Sequence, residues 1–172
     1  MTTPGPPIRL GIVPPTFRDS SGETGDEPVN LRLKAWEVPL RAGAGAFILN
    51  SGLTKLRADD DAAKQTHGFA TSAYPALDRL DPRLFVGALS AGEIALGAAL
   101  LVPVVPAALA GAGLIAFSGG LLGLYLRTPG LRQERSLRPT ERGIPIAKDV
   151  WLLAIGLAFV ADEVRDRWRA KS

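Results

Sequence analysis

The stretch from 94 to 126 carries no charged side chain, and this feature limits the fold more than any other. A single helix through it would be roughly 50 Å long at about 1.5 Å of rise per residue, well beyond the ~30 Å hydrocarbon thickness of a bilayer. The chain must therefore turn back on itself. Pro103 and Pro106 mark the turn, because proline lacks the amide hydrogen that a helix needs. The pattern predicts two membrane-spanning helices, at 84–102 and 107–126.

A less apolar stretch precedes this hairpin and predicts another spanning helix at 37–56. Its uncharged part runs only from 42 to 54, which is shorter than a span. The stretch reaches the required length if Arg41 and Lys55 extend their charged ends toward the two membrane surfaces while their stems stay in the hydrocarbon.

The last apolar stretch predicts a fourth span at 145–164, with Trp151 and Trp168 near its ends, as is typical of tryptophan at a membrane interface. The connection between the first two spans has small and apolar residues at helical spacing. This spacing predicts an amphipathic helix at about 60–77, lying on the membrane surface or on the bundle. Three aspartates, 59–61, stand where acids suit the positive end of a helix dipole.

Together these patterns predict an all-α fold, an integral membrane four-helix bundle at 36–164 in a plasma (inner) membrane. Residues 1–35 are polar and rich in proline and glycine, which predicts a disordered tail, and 165–172 form a basic tail. The chain has 20 Lys and Arg against 17 Asp and Glu, and the arginines cluster at the ends of apolar stretches. That distribution suits lipid headgroups, so we expect contact with the bilayer and no nucleic-acid partner.

Composition excludes several kinds of chemistry within this chain. There is no cysteine, so disulfides, thiol catalysis and cysteine-ligated metals cannot form. The single histidine, His67, is too few for a bis-histidine haem and is predicted to be a surface or interfacial side chain. We therefore predict neither a catalytic set nor a metal site.

Glu93 is the sharpest functional candidate, because a charge midway along a span costs roughly 2.5–3.5 kcal/mol to insert. At matching depth on the first span, Asn50 is predicted nearest to it, with Thr54 one turn behind and Lys55 reaching inward along its stem. Arg41 is a further intramembrane polar candidate. Three roles stay open for Glu93: a hydrogen bond that pins two spans together, proton exchange with a bound ligand, or contact with another subunit.

Glycines predict where the spans pack closely, since a missing side chain lets two backbones approach each other within a bilayer. Six of them are expected at helix contacts. They are Gly43, Gly45 and Gly52 of the first span, Gly97 of the second, and Gly119 and Gly123 of the third, which form a Gly-x-x-x-Gly motif.

Short motifs follow one another in a recognisable order along 40–160. They are Arg41, Gly43 and Phe47 followed by Ser51, Gly52 and Lys55 in the first span, Glu93 followed by Gly97 in the second, and Gly68-Phe69 and Tyr74-Pro75 in the linker. In order and helix context they resemble the DoxX family of small four-helix membrane proteins.

The resemblance implies a bacterial membrane subunit associated with redox metabolism, with other membrane or membrane-associated subunits as partners. We therefore expect a chain that anchors or organises a respiratory or oxidative-stress complex and is not itself an enzyme. The alternative is a quinone-interacting oxidoreductase subunit in which Glu93, helped by Asn50 and Lys55, exchanges protons with a quinone between the first two spans. A third hypothesis, a small transporter, rests on the intramembrane carboxylate.

Overall fold

The computed structural model describes residues 33–171, and the regular elements in that part of the chain are helices. The helices are α1 (Glu37–Leu56), α2 (Asp60–Ala73), α3 (Pro82–Leu101), α4 (Ala107–Arg127), α5 (Ile144–Ala147) and α6 (Val150–Arg169), with a short 3₁₀ helix at Pro75–Arg79 between α2 and α3. The predicted disordered tail, 1–35, lies almost wholly outside the described residues.

Polar caps and prolines set the helix starts. Asp59 accepts a hydrogen bond from the backbone N–H of Ala62 at 2.8 Å and so caps α2, which agrees with the helix-start role predicted for the aspartates. Asp81 caps α3 in the same way and is followed by Pro82, a residue suited to a first helical turn. Helix α4 begins directly after Pro106, so the turn lies where the prolines predict it.

The long helices form two antiparallel pairs. Helix α1 packs along most of its length against α3, and α4 packs along most of its length against α6, whereas α1 and α6 touch over only a short stretch. Side chains from both pairs meet in one buried cluster, made of Ala44, Ile48, Leu100, Ala110, Leu114, Leu152 and Phe159. This cluster joins the pairs toward the α3–α4 turn.

Helix α2 covers the other end of the bundle. It packs mainly on α3 and also touches α4, so it lies on the bundle, one of the two predicted positions. Its start is tied to α3 by an ion pair between Asp60 and Arg83. Its end is tied to α4 by a hydrogen bond of 3.2 Å between the Ser72 and Thr128 hydroxyls.

Three helical stretches of the described residues are long and apolar enough to cross a membrane: Pro82–Leu101, Ala107–Arg127 and Ile144–Arg169. Helix α1 has the predicted bounds but is not among the three, since it is less apolar than α3 and α4. The last stretch differs from its prediction, because α5 and α6 are separate helices and α6 continues through 165–169, which the sequence assigns to a tail.

The connection between α4 and α5 folds back on itself. Arg132 and Pro139 form an isolated antiparallel bridge, and the Tyr125 hydroxyl donates a hydrogen bond of 2.7 Å to the carbonyl of Leu137. Leu131 is buried beneath this turn, whereas most of the charged side chains of the connection are exposed. The segment is therefore an ordered, polar cap beside α2.

Candidate functional site

An ion pair between α1 and α3 forms the centre of the site. The Lys55 ammonium lies 2.9 Å from Oε2 of Glu93 and also donates a hydrogen bond of 2.7 Å to the Ser51 hydroxyl. The Glu93 side chain is only 4% exposed, whereas that of Lys55 is 25% exposed. A buried carboxylate midway along α3 thus receives its counter-ion from the end of α1.

Close backbone contacts set the register that brings these two residues together. A Cβ atom added at Gly97 would lie 2.6 Å from the backbone nitrogen of Leu49, and one added at Gly52 would lie 3.0 Å from the Cβ of Glu93. The Ser90 hydroxyl donates a hydrogen bond of 2.8 Å to the carbonyl of Gly52 across the same contact. Gly52 therefore faces Glu93, with Lys55 one turn further along α1.

The predicted hydrogen-bond partners of Glu93 are Asn50 and Lys55, and the register brings only Lys55 to it. Asn50 and Thr54 are both exposed. The Thr54 hydroxyl donates a hydrogen bond of 2.8 Å to the carbonyl of Asn50. Neither side chain has a hydrogen bond to Glu93, whereas Lys55 does. Equal depth from the two helix ends would place Asn50 beside Glu93, but the glycine contacts shift α1 along α3, and Asn50 lies on the exposed face of α1.

Beside the ion pair lies a cavity of about 520 Å³ between the two helix pairs. Its walls are mainly apolar and include five aromatic rings, those of Phe47, Phe69, Tyr74, Phe85 and Phe117. Side chains with polar groups also line it: Ser51, Lys55, Thr66, Glu93, Lys148 and Asp149. The sequence contains no signal for this space, since a cavity results from how helices distant in the chain pack together.

Helix α2 and the residues after it form the cover of the cavity. The Tyr74 hydroxyl donates a hydrogen bond of 2.9 Å to the carbonyl of Gly120, and Arg127 lies 5.0 Å over the Tyr74 ring. His67 is buried, with Nε2 3.0 Å from the carbonyl of Leu77. His67 is predicted to be a surface or interfacial side chain, and a surface position is wrong because the buried face of α2 includes this residue.

The ion pair between Asp60 and Arg83 ties the start of this cover to α3. The Arg83 guanidinium hydrogen bonds to Asp60 and holds the pKa of that carboxyl below its usual range. Both side chains are largely exposed, so solvent screens the attraction and its contribution to stability is small.

A second polar pair lies where α5 meets α6. Asp149 is buried, and the Lys148 ammonium lies 5.1 Å over the ring of Phe47, a cation–π contact with α1. Both residues line the cavity, as does Pro145 of α5. The cavity therefore has ionisable side chains in two places, Lys55 with Glu93 and Lys148 beside Asp149.

Arg41 belongs to a separate cluster at the opposite end of the bundle. Its Nε lies 3.4 Å from the Glu37 carboxylate, and its Nη2 donates a hydrogen bond of 2.8 Å to the carbonyl of Val105 in the α3–α4 turn. The guanidinium also lies 5.7 Å over the ring of Phe159. Arg41 is predicted as an intramembrane polar residue, and its contacts tie α1 to the hairpin turn, away from the cavity.

The chain before α1 is held at that same end. Lys34 forms ion pairs with Asp162 and with Asp166 near the end of α6. These hydrogen bonds, chiefly the one to Asp162, raise the pKa of Lys34 above its usual range.

The predicted packing glycines divide into two groups. Gly45, Gly52 and Gly97 lie at the α1–α3 contact, as predicted, whereas a Cβ added at Gly43 or Gly119 would meet nothing within 4 Å. Gly123 lies against the Tyr74 hydroxyl, so the Gly-x-x-x-Gly motif does not mediate a helix contact among the described residues. The motif identifies small residues but not the face of the helix on which they lie.

The close contact between Gly111 of α4 and Gly156 of α6 is not predicted from the sequence. A Cβ added at Gly111 would lie 2.8 Å from the carbonyl oxygen of Gly156, and one added at Gly156 would lie 2.8 Å from that of Gly111. Gly111 is visible as one of several glycines of α4, but nothing in the sequence pairs it with a glycine of α6.

Fold and site together define an all-helical protein with apolar helices of membrane-spanning length around a mainly apolar cavity. Within 33–171, no three His, Asp or Glu side chains come together to hold a metal ion. Comparison with known proteins gives no match to a family model, to a curated protein or to a solved structure. The resemblance to the DoxX family therefore stays a prediction.

Proposed function

We propose that the chain is a multi-pass protein of a bacterial plasma membrane and that α1 is its fourth span. Two observations support this assignment of α1: it is antiparallel to α3 over its length, and its charged side chains are paired, Glu37 with Arg41 and Lys55 with Glu93. A paired charge costs less in hydrocarbon than an isolated one, and Lys55 is near enough to the helix end to extend outward.

We further propose that the cavity binds the ring of a quinone. The observation that carries this proposal is the cavity of about 520 Å³ with the Lys55–Glu93 pair in its wall. That volume lies within the range of roughly 300–1,000 Å³ of small-molecule sites, which are typically apolar with a few directed polar groups. Aromatic walls suit a flat ring, because offset or edge-on ring contacts add to burial.

The charges of the site favour a neutral ligand. Lys55 is paired with Glu93, so this position offers no net charge to an anionic headgroup. A quinone carbonyl needs only a hydrogen-bond donor. The Lys55 ammonium is a donor of three hydrogen bonds and uses two of them within the described residues.

Proton exchange is the chemistry that Glu93 would add. Reduction of a quinone to a quinol takes two electrons and two protons. In this proposal the Lys55 ammonium gives one proton to the reduced ring and regains it from water by way of Glu93, and the second proton comes directly from water. Both electrons come from a partner subunit that holds a redox cofactor such as a flavin, since the chain has no cysteine to carry them. This role combines the two predicted functions, a redox-associated membrane subunit and a quinone-binding one.

A partner would dock on the polar cap that contains the α4–α5 connection. Arg135, Arg138 and Arg142 are exposed there, and the connection is joined to α2 through Thr128 and Ser72. Crosslinking of native membranes followed by mild detergent extraction tests this role. A chain that purifies alone after crosslinking would contradict the partner, whereas quinone binding by the isolated chain is a separate measurement.

Two adjacent glycines allow a matched test of the cavity. Gly120 lines it and Gly119 does not, and a Cβ added at either would meet nothing within 4 Å. We expect Gly120→Leu to weaken quinone binding by the purified chain in lipid nanodiscs by roughly tenfold, because the new side chain occupies the space of the ring. Gly119→Leu should leave the dissociation constant unchanged. Equal binding by both variants would refute the cavity as the site.

Glu93→Gln separates binding from proton exchange. The glutamine carbonyl still accepts a hydrogen bond from Lys55, so we expect the variant to insert and to bind quinone. Its quinone reduction, measured in membranes that contain the intact complex, should be abolished because an amide does not exchange the proton. Unchanged reduction in Glu93→Gln would rule out this role.

A further inference from the structure

A second apolar space lies on the outer side of the bundle, in the gap between α1 and α6. This groove has a volume of about 360 Å³ and is lined by Pro39, Gly43 and Phe47 of α1 and by Trp151 and Ile155 of α6, among others. It exists because α1 and α6 touch over only a short stretch, each being packed chiefly against its own partner helix.

The groove and the cavity share part of their walls. Four residues line both spaces: Phe47, Lys148, Asp149 and Leu152. At this junction the Lys148 ammonium lies over the Phe47 ring at 5.1 Å. The cavity and the groove therefore adjoin at these four residues.

The groove faces the side of the bundle that lipid would cover. Phe47 is 52% exposed and Trp151 is 74% exposed, although both are large apolar side chains. Gly43 is exposed as well, and no side chain of the described residues fills the space beside it. An apolar molecule in the bilayer would reach the cavity from here without crossing the polar cap.

We propose that this groove holds the hydrocarbon tail of the quinone whose ring occupies the cavity, and that long-tailed quinones enter sideways from the bilayer between α1 and α6. The inference rests on the proposed function, since it assigns the tail of that same ligand. The shared wall supports it, because a ring in the cavity and a tail in the groove would meet at Phe47 and Lys148. Their contact is the closure that opens for entry.

The test compares two ligands on matched variants in lipid nanodiscs. The ligands share one quinone ring, and one of them has a long isoprenoid tail whereas the other has none. Gly43→Leu fills the groove without colliding with a backbone, and Gly119→Leu, on an exposed face outside both spaces, is the control. Ile155→Trp fills the groove from α6. Each result is the ratio of variant to wild-type dissociation constant, which cancels partitioning of the ligand into lipid.

We expect both groove variants to weaken binding of the tailed quinone by roughly tenfold and to leave binding of the tail-less ring unchanged. Gly119→Leu should change neither ratio. Equal ratios for the two ligands in both groove variants, at any value, would overturn the tail site while leaving the ring site standing. Failure of the wild-type chain to bind even the tail-less ring would overturn the proposed function and the tail site with it.

Discussion

Replacing Lys55 by methionine would remove the hydrogen-bonding partner that Glu93 has within residues 33–171. The variant keeps a long apolar stem at position 55 but leaves the carboxylate, 4% exposed, without a counter-ion midway along α3. The cost of this change measures how strongly the site depends on its buried pair.

The magnitude follows from the geometry. At the 2.9 Å between Nζ and Oε2, the gross attraction is about 6 kcal/mol at an effective dielectric constant of about 20. Removing both ions from water costs several kcal/mol for each, so the intact pair contributes little net stability. Breaking the pair from one side leaves a buried charge, and we expect Lys55→Met to lower the free energy of unfolding by about 3–5 kcal/mol.

Because Glu93 is more buried than Lys55, the two single substitutions should lower the free energy of unfolding by different amounts. Glu93→Leu leaves behind Lys55, which is 25% exposed, retains its hydrogen bond to Ser51 and can turn outward. We therefore expect Glu93→Leu to cost roughly 2 kcal/mol less than Lys55→Met. The double variant, with no charge left to compensate, should lie within about 1 kcal/mol of the wild type.

Reversible unfolding in mixed detergent–lipid micelles gives the four free energies of this cycle. A Lys55→Met variant no less stable than Glu93→Leu would refute the argument from burial. A double variant whose loss equals the sum of the two single losses would refute the coupling between the two charges.

Two further predictions concern the supports of the site. Gly97→Ala should lower the free energy of unfolding by about 1–3 kcal/mol, because its Cβ would lie 2.6 Å from the Leu49 backbone nitrogen. Gly92→Ala, whose Cβ would meet nothing within 4 Å, should change the free energy of unfolding by at most about 1 kcal/mol. Similar losses in thermal denaturation of the two variants would contradict the close contact. Because Arg83 lowers the pKa of Asp60, their pair stabilises the fold above the ordinary aspartate pKa of about 3.9, and this contribution is lost as pH falls through the lowered value. Asp60→Asn should lack that acid-dependent step in a pH titration of stability, and an unchanged titration would contradict the assignment.

The helices could be read from the sequence because the signals for them are local. These signals are the uncharged stretches of bilayer length, the prolines at 103 and 106, and the aspartate caps. The observed bounds of α1, α3 and α4 agree closely with the predicted ones. The break between α5 and α6 was not predicted. It falls inside a stretch whose apolar composition continues on both sides.

Contacts between helices were predictable only in part, because they depend on rotation and register. The sequence predicts Glu93 near the middle of its helix, and it is buried there in α3, but its predicted neighbour Asn50 lies on the exposed face of α1. Gly43 and Gly119 were placed at helix contacts and lie in open space for the same reason. The cavity follows from the gap between two helix pairs, a tertiary feature that no single stretch encodes.

A photoreactive quinone tests the central claim, that the cavity beside the Lys55–Glu93 pair binds the ring. The chain in lipid nanodiscs would be labelled with an azido-substituted ring, and the adducts would be mapped by mass spectrometry with and without excess unlabelled quinone. We expect adducts at cavity-lining positions such as Phe85 and Leu121, suppressed by the competitor. Adducts confined to outward-facing residues such as Leu109 and Leu157, and unaffected by the competitor, would contradict it.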